Sequence, residues 1–479
     1  MVKEQQERED KFDVDLGFVV PELADLLPDG GRIESATYQL ENTYYDTAGR
    51  DLQRMRLTLR RRLGGPDAGW HLKLPADPAR TEIHSQSRSR SVPKALADPL
   101  FGVRRGQELK PVAVISTRRE VLRLLDAGGD LLAEVADDQV ESSTLGEEST
   151  LRSWREVEVE LGSAGNEELL TTIGDRLVDW GARRSASVSK LRHALGVEDE
   201  PEPALATVGG AVSAYLATQC TQIVKGDLGL RLGKPVVHPT RVAVRRLRST
   251  LRVFGPVFDA DPAAALEEEL VWLAGLLGEV RDREVLSRRL LDQVAELPVE
   301  FVLGPVAAHI ESTLHAESQR YLKRLNEALR SERYLALLET LERGRTAPPL
   351  TELASEPAEQ LKSYTKKAER KLYRRLQTTG GDPEALHAAR KAGKRFRYAA
   401  ELSEPVLGKK ATKRVQQGKA LQELLGEHQD AEVSAAFLRR QGAAAGAGGE
   451  QNGFTYGILL AAEWQRATDI RRALKKRFG

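Results

Sequence analysis

Two basic stretches, HPTRVAVRRLRS at residues 238–249 and HAARKAGKRFRY at residues 387–398, decide the fold of the second half of the chain. Each begins with a histidine, and they lie 149 residues apart. A second pair, LLGEVRDREV at 276–285 and LLGEHQDAEV at 424–433, matches at an offset of 148 residues. Because both pairs occur in the same order at nearly the same spacing, the sequence predicts two copies of one helical unit.

Each basic stretch places its cations along one side of a helix. At about 100° per residue, positions 0, +3, +7 and +10 from the histidine lie within about 80° of each other. The stripes are His238, Arg241, Arg245 and Arg248 in the first copy, and His387, Arg390, Lys394 and Arg397 in the second, which Lys391 widens. Arg246 projects off its stripe. One interpretation is a solvated helix face; the other, which the repetition favours, is a basic groove that several phosphates neutralise.

The composition restricts any anion binding to local clusters. The 479 residues carry 72 Lys and Arg against 71 Asp and Glu, so the formal net charge is only +1.

Cys220 is the single cysteine, which excludes an intrachain disulfide and a thiolate metal cluster and fits a reducing compartment. The sequence has no apolar run long enough to cross a bilayer, and its first residues are too charged for a signal peptide. We therefore expect no membrane partner and a cytoplasmic location.

The first 200 residues alternate between apolar and charged side chains, which predicts strands. In the stretch EREDK, the side chains of Glu7, Glu9 and Lys11 share one face. In WREVEVEL at 154–161, the glutamates likewise oppose the valines. A closed barrel would place such charged faces inside, whereas a sandwich would place them in water. The residues alone leave both arrangements open.

The pattern changes after an acidic stretch rich in proline and glycine, which reads as a linker. The predicted boundaries are 1–200 for the first domain, 201–212 for the linker and 213–479 for the second domain, with repeats at about 213–350 and 351–479. Helical spacing replaces alternation in the second domain, which is predicted to be all-α. The stretch GAAAGAGGEQNG at 442–453 is predicted to be a flexible loop between the last two helices.

Five motifs of the first domain resemble, in order, those of the CYTH domain, also called the triphosphate tunnel metalloenzymes. They are EREDK at 7–11, YYDTAGRDLQRMRLTLRRR at 44–62, WHLKL at 70–74, EVEVEL at 156–161 and SKL at 189–191. The resemblance implies an eight-stranded antiparallel tunnel that binds triphosphate-containing substrates with Mg2+ or Mn2+. The implied metal ligands are Glu7, Glu9, Asp138, Glu158 and Glu160. The implied phosphate-binding residues are Lys11, Arg60, Arg62, Lys73, Arg119 and Lys190.

The same resemblance implies which residues take part in catalysis. The set consists of Glu7, Glu9, Lys11, Glu158 and Glu160. Hydrolysis of a phosphoanhydride needs charge neutralisation and an oriented water, which Glu158 or Glu160 would orient or deprotonate. Of two adjacent arginines, Arg119 is preferred to Arg118 because it shares a strand face with Thr117.

Four motifs of the second domain resemble, in order, those of the CHAD domain, named for histidines in an α-helical domain. They are VHPTRVAVRRLRS, LLGEVRDREVL, LHAARKAGKRFRY and LLGEHQDAEV, and the resemblance covers roughly residues 210–479. It implies two four-helix bundles related by pseudo-symmetry, which bind inorganic polyphosphate through the basic stripes. The predicted fold class is thus α+β and multidomain, with an N-terminal eight-stranded β tunnel and a C-terminal all-α pair of bundles.

Together the two resemblances imply a metal-dependent inorganic triphosphatase with a polyphosphate-binding module, associated in the cell with polyphosphate granules. One alternative is a tunnel enzyme that acts on a nucleoside or thiamine triphosphate, and another is a polyphosphate-binding scaffold with little turnover. Nucleic acid is disfavoured as a partner, since among the basic residues only Phe396 and Tyr398 offer aromatic rings for stacking. The sequence leaves the oligomeric state open.

Overall fold

The computed structural model divides the chain into two compact units, Met1–Pro201 and Glu202–Gly479. The residues that it describes are 2–75, 80–146, 149–185, 189–196, 204–378, 382–448 and 452–478. Within these ranges, the side chains of 2–7, 80, 383 and 446–448 are left undescribed. Each unit has its own hydrophobic core, and the predicted α+β multidomain class is confirmed.

The first unit is built on one antiparallel sheet. Its strands are β1 (Val2–Glu7), β2 (Glu9–Val14), β3 (Arg32–Asp46), β4 (Thr58–Leu63), β5 (Gly69–Leu74), β6 (Arg80–Ser85), β7 (Lys110–Leu125), β8 (Leu131–Thr144), β9 (Leu151–Leu161) and β10 (Arg183–Arg184). Their order in the sheet is β1-β6-β5-β4-β3-β7-β8-β9-β2-β10. The helices are α1 (Asp51–Arg54), α2 (Lys94–Ala97), α3 (Glu167–Asp179) and α4 (Lys190–Leu195).

The first two strands close the sheet into a tunnel. Only Arg8 separates β1 from β2, yet β1 pairs with β6 while β2 pairs with β9 across the sheet. One continuous segment therefore joins both edges. Ten strands are described where eight were expected, because the break at Arg8 divides the closing strand in two and the short β10 adds to β2.

The apolar face of the tunnel wall packs under α3. Val157 and Val159 on β9 are fully buried against Ile173 and Leu177 of that helix. Asn166 caps α3 by accepting a hydrogen bond from the Leu169 backbone N–H at 2.9 Å. Because alternate residues of a strand face opposite sides, the glutamates of β9 point into the tunnel. The structure thus excludes the sandwich alternative.

The segment before β4 differs from the strand that alternation predicts. Residues from Met55 onward were expected to be extended, but β4 begins only at Thr58. The chain first forms the short helix α1, which Asp46 caps through the N–H groups of Leu52 at 2.9 Å and Gln53 at 3.1 Å. Arg56 then adopts a left-handed conformation with φ of 57°. This turn places Arg56 on the cavity wall.

The second unit is a set of helices that pack mainly against their sequence neighbours. They are α5 (Val208–Arg231), α6 (Val237–Val253), α7 (Ala260–Glu296), α8 (Val306–Ala328), α9 (Glu332–Thr346), α10 (Leu361–Gln377), α11 (Pro383–Leu407), α12 (Lys409–Gly448) and α13 (Phe454–Phe478). The basic stretches lie on α6 and α11, which contact each other. The two predicted copies correspond to α5–α9 and α10–α13.

Two segments expected to be irregular are helical. The helix α5 begins at Val208, inside the predicted linker 201–212, because Thr207 caps it and Val208 and Val212 are fully buried. The helix α12 continues to Gly448, so residues 442–448 of the predicted loop are helical. A side chain at Gly442 would lie 3.2 Å from Tyr456, and the small residue lets α13 approach α12. Residues 449–451 lie outside the described part of the chain.

A membrane-spanning helix is absent from the described residues. None of their helices combines the length and the apolar character that crossing a bilayer requires.

Candidate functional site

The interior of the tunnel is a charged cavity of about 700 Å³. Its basic lining residues are Lys11, Arg56, Arg60, Arg62, Lys73, Arg119, Arg123, Lys190 and Arg192. Its acidic lining residues are Glu9, Asp67, Glu82, Glu134, Glu158 and Glu160. The six residues predicted to bind phosphate therefore line one cavity together.

One group of acids in the tunnel is neutralised by cations of the chain. The Lys190 ammonium lies 2.8 Å from Asp138, 2.5 Å from Glu156 and 2.8 Å from Glu158. Arg119 donates two hydrogen bonds to Asp138, at 2.8 and 2.7 Å. These three carboxylates lie close enough together to hold a metal ion, but the ammonium occupies the space between them. Asp138 and Glu158, both expected as metal ligands, are engaged here as counter-ions.

The charge state of this group follows from its contacts. Burial opposes ionisation of Glu158, but Lys11, Lys190 and Arg119 hold its pKa well below its usual range. Burial likewise opposes the ionisation of Asp138, whose pKa Lys190 and Arg119 keep lowered. Glu158 is therefore a weak base in this arrangement, and its expected role in deprotonating water is disfavoured.

A second group of acids forms a row across three neighbouring strands. Glu160 on β9 lies directly opposite Glu9 on β2 and directly opposite Glu134 on β8. Burial raises the pKa of Glu160 to about 7; Lys73 opposes this, and Glu9 and Glu134 add to it. Glu160 makes no hydrogen bond or ion pair with the described residues. Three half-buried carboxylates on neighbouring strands suit a hard divalent cation, which would relieve their repulsion.

Glu134 is a residue of this row that was not predicted. It shares a strand face with Asp138, which the alternation already indicated, but only the register of β8 against β9 brings it beside Glu160. Arg123 pairs with it at 3.1 Å. Glu7, which was predicted to bind metal, has its backbone in β1, and its side chain lies outside the described part.

The opposite wall carries the cations of β4 and β5. Arg62 donates a hydrogen bond to Asn42 at 3.0 Å, and Arg60 lies 3.6 Å from Glu82. Burial and the charges of Arg60 and Arg119 lower the pKa of Arg62, against the opposing effect of Asp67. The three cations Arg60, Arg62 and Lys73 share the two acids Glu82 and Asp67, so an anion would complete the neutralisation of this wall.

The two adjacent arginines of β7 face opposite sides of the wall. Arg119 lines the cavity, with its side chain 15% exposed. Arg118 is 52% exposed and pairs with Glu120 at 3.1 Å. Arg119 is thus the arginine that can reach a ligand in the tunnel.

The second unit gathers the central residues of both stripes into one basic cluster. Arg241 and Arg245 come from α6, and Arg390 and Lys394 come from α11. Burial lowers the pKa of Lys394 to about 6, and Arg390, Arg245 and Arg241 contribute through repulsion. Among the described residues, neither Arg245 nor Arg390 has a carboxylate within 4.0 Å, and the Nε of each is buried without a hydrogen-bond partner.

Two aspartates at matched positions of the repeat face this cluster. Asp282 on α7 lies 3.3 Å from Arg241. Burial raises the pKa of Asp430 on α12, and Arg390 opposes the shift most strongly. The two acids only partly offset the three arginines of the cluster, so the cluster has positive charge that an anion would neutralise.

Residues at the ends of the stripes, and Arg246 beside them, make side-chain contacts within the helical unit that helical spacing alone does not predict. Arg397 was predicted to lie on the binding stripe, but it donates to Glu401 at 2.9 Å. Arg246, predicted to project elsewhere, donates to the same carboxylate at 2.9 Å. His387 lies 3.0 Å from the side-chain oxygen of Gln429.

The remaining stripe residues lie beside these groups. Arg248 has a buried Nε without a partner among the described residues, and burial and Arg252 lower its pKa. Burial and Arg281 lower the pKa of His238. Lys391 is exposed.

Comparison with protein families supports both resemblances. Residues 6–193 match the CYTH domain and residues 214–439 match the CHAD domain. Uncharacterized proteins from two strains of Mycobacterium tuberculosis are each 36% identical over 497 aligned residues, which cover 98% of this chain and 95% of the relative. The predicted combination of the two domains is therefore confirmed.

Solved structures similar to the chain include PptA from Streptomyces chartreusis, with 20% identity and a TM-score of 0.46 over 56% of this chain and 98% of that one. The CHAD domain from the plant Ricinus communis is 25% identical, with a TM-score of 0.45 over 58% of this chain and 94% of that one. A putative adenylate cyclase from Bacillus halodurans is 20% identical, with a TM-score of 0.29 over 40% of this chain and 97% of that one.

Proposed function

The chain belongs to the proteins that join a CYTH domain to a CHAD domain, and we propose that its tunnel hydrolyses inorganic triphosphate or a related short phosphoanhydride. The observation that carries the proposal is the division of the cavity lining. Arg60, Arg62 and Lys73 form a basic wall, while Glu9, Glu134 and Glu160 form an acidic row. A polyphosphorylated ligand and a divalent cation can thus bind side by side.

The row of Glu9, Glu134 and Glu160 would hold Mg2+ or Mn2+, because carboxylate oxygens are the ligands that these hard cations prefer. A cation bound there supplies charge neutralisation and a more acidic water. Lys190 already occupies the space among Asp138, Glu156 and Glu158, so its ammonium takes over the neutralising role in that part of the tunnel.

The chain's own residues bind and orient the substrate. Arg60, Arg62 and Lys73 would hold phosphate oxygens, and Arg119 would reach the ligand from β7. In the reaction, a water oxygen bonds to the terminal phosphorus while the bridging P–O bond breaks. The products are pyrophosphate and phosphate. Fixed cations around the leaving group stabilise the negative charge that it gains.

The helical unit would bind inorganic polyphosphate at the cluster of Arg241, Arg245, Arg390 and Lys394. The buried Nε atoms of Arg245 and Arg390 have no hydrogen-bond partner among the described residues, which supports this role because such donors gain hydrogen bonds from an anion. The cluster draws equally on both repeats. A chain of phosphates bound there would contact both helices at once.

Phosphate release tests the enzymatic part of the proposal. We would incubate the protein with triphosphate, ATP, thiamine triphosphate and long polyphosphate, each with Mg2+, with Mn2+ and with chelator. We expect metal-dependent release that is fastest from triphosphate. Glu160→Gln should reduce it by at least tenfold, because it removes a charge from the carboxylate row. Arg118→Gln is the control, since that side chain lies outside the tunnel.

Two results would contradict this expectation. Faster release from ATP or thiamine triphosphate would assign the tunnel to that substrate. No metal-dependent release from any of the four compounds would favour a binding scaffold with little turnover.

Polyphosphate binding is tested separately by titration calorimetry of the full-length protein. We expect Arg245→Gln/Arg390→Gln to weaken binding strongly, because neither cation has a carboxylate within 4.0 Å in the part of the chain that the structure describes. The control, Arg333→Gln/Arg343→Gln, removes equal charge from the exposed side of α9. Equal losses in the two double variants would show that binding follows net charge alone and has no defined site.

A further inference from the structure

Glu82 stands among the cations that the proposed reaction uses to hold phosphate. Its carboxylate lies 3.6 Å from Arg60 and 3.8 Å from Lys73, on the cavity wall. An ionised carboxylate in this position repels a polyanion that binds the same two cations. The wall thus contains a charge that opposes its ligand, unless the carboxyl carries a proton when the ligand is bound.

His71 supplies the hydrogen-bond arrangement that keeps such a proton. Its Nδ1 lies 2.8 Å from Glu82 Oε1, and its Nε2 lies 2.8 Å from the Asp67 carbonyl oxygen. A carbonyl oxygen only accepts, so Nε2 carries a hydrogen. An ionised carboxylate also only accepts, so the other hydrogen bond needs a hydrogen on Nδ1 or on the carboxyl. In either form, the His71–Glu82 pair carries one more proton than a neutral imidazole ring beside an ionised carboxylate would carry.

The groups around the pair determine where this proton resides. Burial and the charges of Arg60 and Arg62 lower the pKa of His71, while its hydrogen bond to Glu82 raises it. The ring of His84 on β6 stacks on His71 with centroids 4.4 Å apart. Phosphates bound to Arg60 and Lys73 bring negative charge next to Glu82. They therefore favour the protonated carboxyl, which donates to a phosphate oxygen instead of repelling it.

We propose that Glu82, protonated through His71, donates a proton to the leaving phosphate oxygen in the tunnel. This step rests on the proposed phosphoanhydride hydrolysis. The bridging P–O bond breaks with its electron pair on the leaving pyrophosphate oxygen, which takes the proton of the pair. The water oxygen bonds to the terminal phosphorus, and the proton that this water releases restores the pair. Glu82 is then a catalytic residue and His71 a positioning residue.

The shared proton is tested by 15N nuclear magnetic resonance of the His71 ring in the full-length protein. As the pH rises, the His71 ring loses the hydrogen near one of its two nitrogens. We expect this loss to occur at a higher pH in the wild type than in Glu82→Gln. The amide of that variant can donate to Nδ1, so it stabilises the neutral ring. Identical titration of His71 in the two proteins would overturn the shared proton.

Kinetics with triphosphate and the activating metal test the catalytic step. We expect Glu82→Gln to lower kcat by about 100-fold, with a much smaller change in KM. It should also remove the alkaline limb of the pH–rate profile, which is the fall in rate at high pH as the donor loses its proton. His71→Asn should also lose that limb. His84→Phe, which keeps a stacking ring but no titratable group, should retain it.

The outcomes separate this proposal from the proposed function. Hydrolysis that is unchanged in Glu82→Gln, or an alkaline limb lost only in His84→Phe, would overturn the proton donor while the triphosphatase proposal survives. Absence of hydrolysis in the wild type would overturn both the reaction and the donor role. The resonance measurement would then still report whether His71 and Glu82 share a proton.

Discussion

Lys394 shows how a single side chain in the basic cluster trades stability for binding. Burial and the repulsion from Arg390, Arg245 and Arg241 lower its pKa to about 6, so at neutral pH it is mostly uncharged in the folded protein. In the unfolded chain the same amine is protonated. Since the unfolded state binds more protons, this group costs stability at neutral pH and costs more as the pH falls towards 6.

We therefore predict that Lys394→Met raises the melting temperature of the helical unit at pH 7 while weakening polyphosphate binding. The bound anion favours the ammonium form, so wild-type binding should take up a proton above pH 6 and weaken as the pH rises. Calorimetry in buffers of different ionisation enthalpy measures this uptake. Proton uptake by the Lys394→Met variant equal to that of the wild type would assign the proton to another group.

The neighbouring arginines 245 and 246 give a second prediction at this scale. Arg245 has no carboxylate within 4.0 Å among the described residues, whereas Arg246 is held by Glu401 at 2.9 Å. We expect Arg245→Gln to reduce polyphosphate affinity roughly tenfold, the effect of losing a charged hydrogen bond, and Arg246→Gln to reduce it much less. Direct titration of the two variants compares them at equal charge. A larger loss for Arg246→Gln would move the binding site off the central cluster.

At the scale of elements, Glu401 joins three helices. Its carboxylate accepts hydrogen bonds from Arg246 on α6, from Arg397 on its own helix α11, and from the Tyr215 hydroxyl on α5. The Glu401 side chain is 13% exposed. Such a contact connects the two repeats and fixes the position of α6 against α11.

Glu401→Gln should destabilise the helical unit by about 1–3 kcal/mol, because two guanidinium groups lose their charged acceptor. The same change frees two cations, so polyphosphate affinity should stay the same or rise. Chemical denaturation measures the first effect and titration the second. Glu327→Gln, an exposed glutamate on α8, is the matched control. Weaker polyphosphate binding in Glu401→Gln without a stability change would contradict this account.

The sequence predicted most elements because their spacing is regular. Alternation in WREVEVEL indicated β9 with its glutamates on one face, and the matched pairs of motifs indicated the two helical copies. Composition misled at 442–448, where small residues looked like a loop but allow α12 and α13 to approach closely. Gly209 and Gly210 likewise suggested a linker, although burial of Val208 and Val212 stabilises a helix there.

The sites were only partly predictable, since pairing register and ion pairing are not visible in a single sequence. Strand alternation placed Glu160 in the tunnel, but the row with Glu134 depends on how β8 pairs with β9. Helical spacing placed Arg397 on a stripe, but its contact with Glu401 depends on the local side-chain packing. Long-range pairing of this kind is a property of the folded chain.

At the scale of the whole molecule, the chain contains two units with separate cores. We predict that a fragment of residues 1–201 retains metal-dependent triphosphatase activity, and that a fragment of residues 202–479 retains polyphosphate binding. Calorimetric melting of each fragment, followed by the two assays, tests this expectation. Loss of cooperative melting in either fragment would show that the units depend on each other for stability.

The segment that closes the tunnel has a consequence for the order of folding. The strand β2 is made early in synthesis, but its partner β9 lies about 145 residues later in the chain. Closing so long a loop is slow, because its entropy must be lost before the pairing contributes stability. The helices of the second unit mostly contact their sequence neighbours, so each of them can pack soon after it is synthesised. Until β9 emerges from the ribosome, the nascent sheet keeps open edges, and this interval is when the protein is most exposed to aggregation and to chaperones.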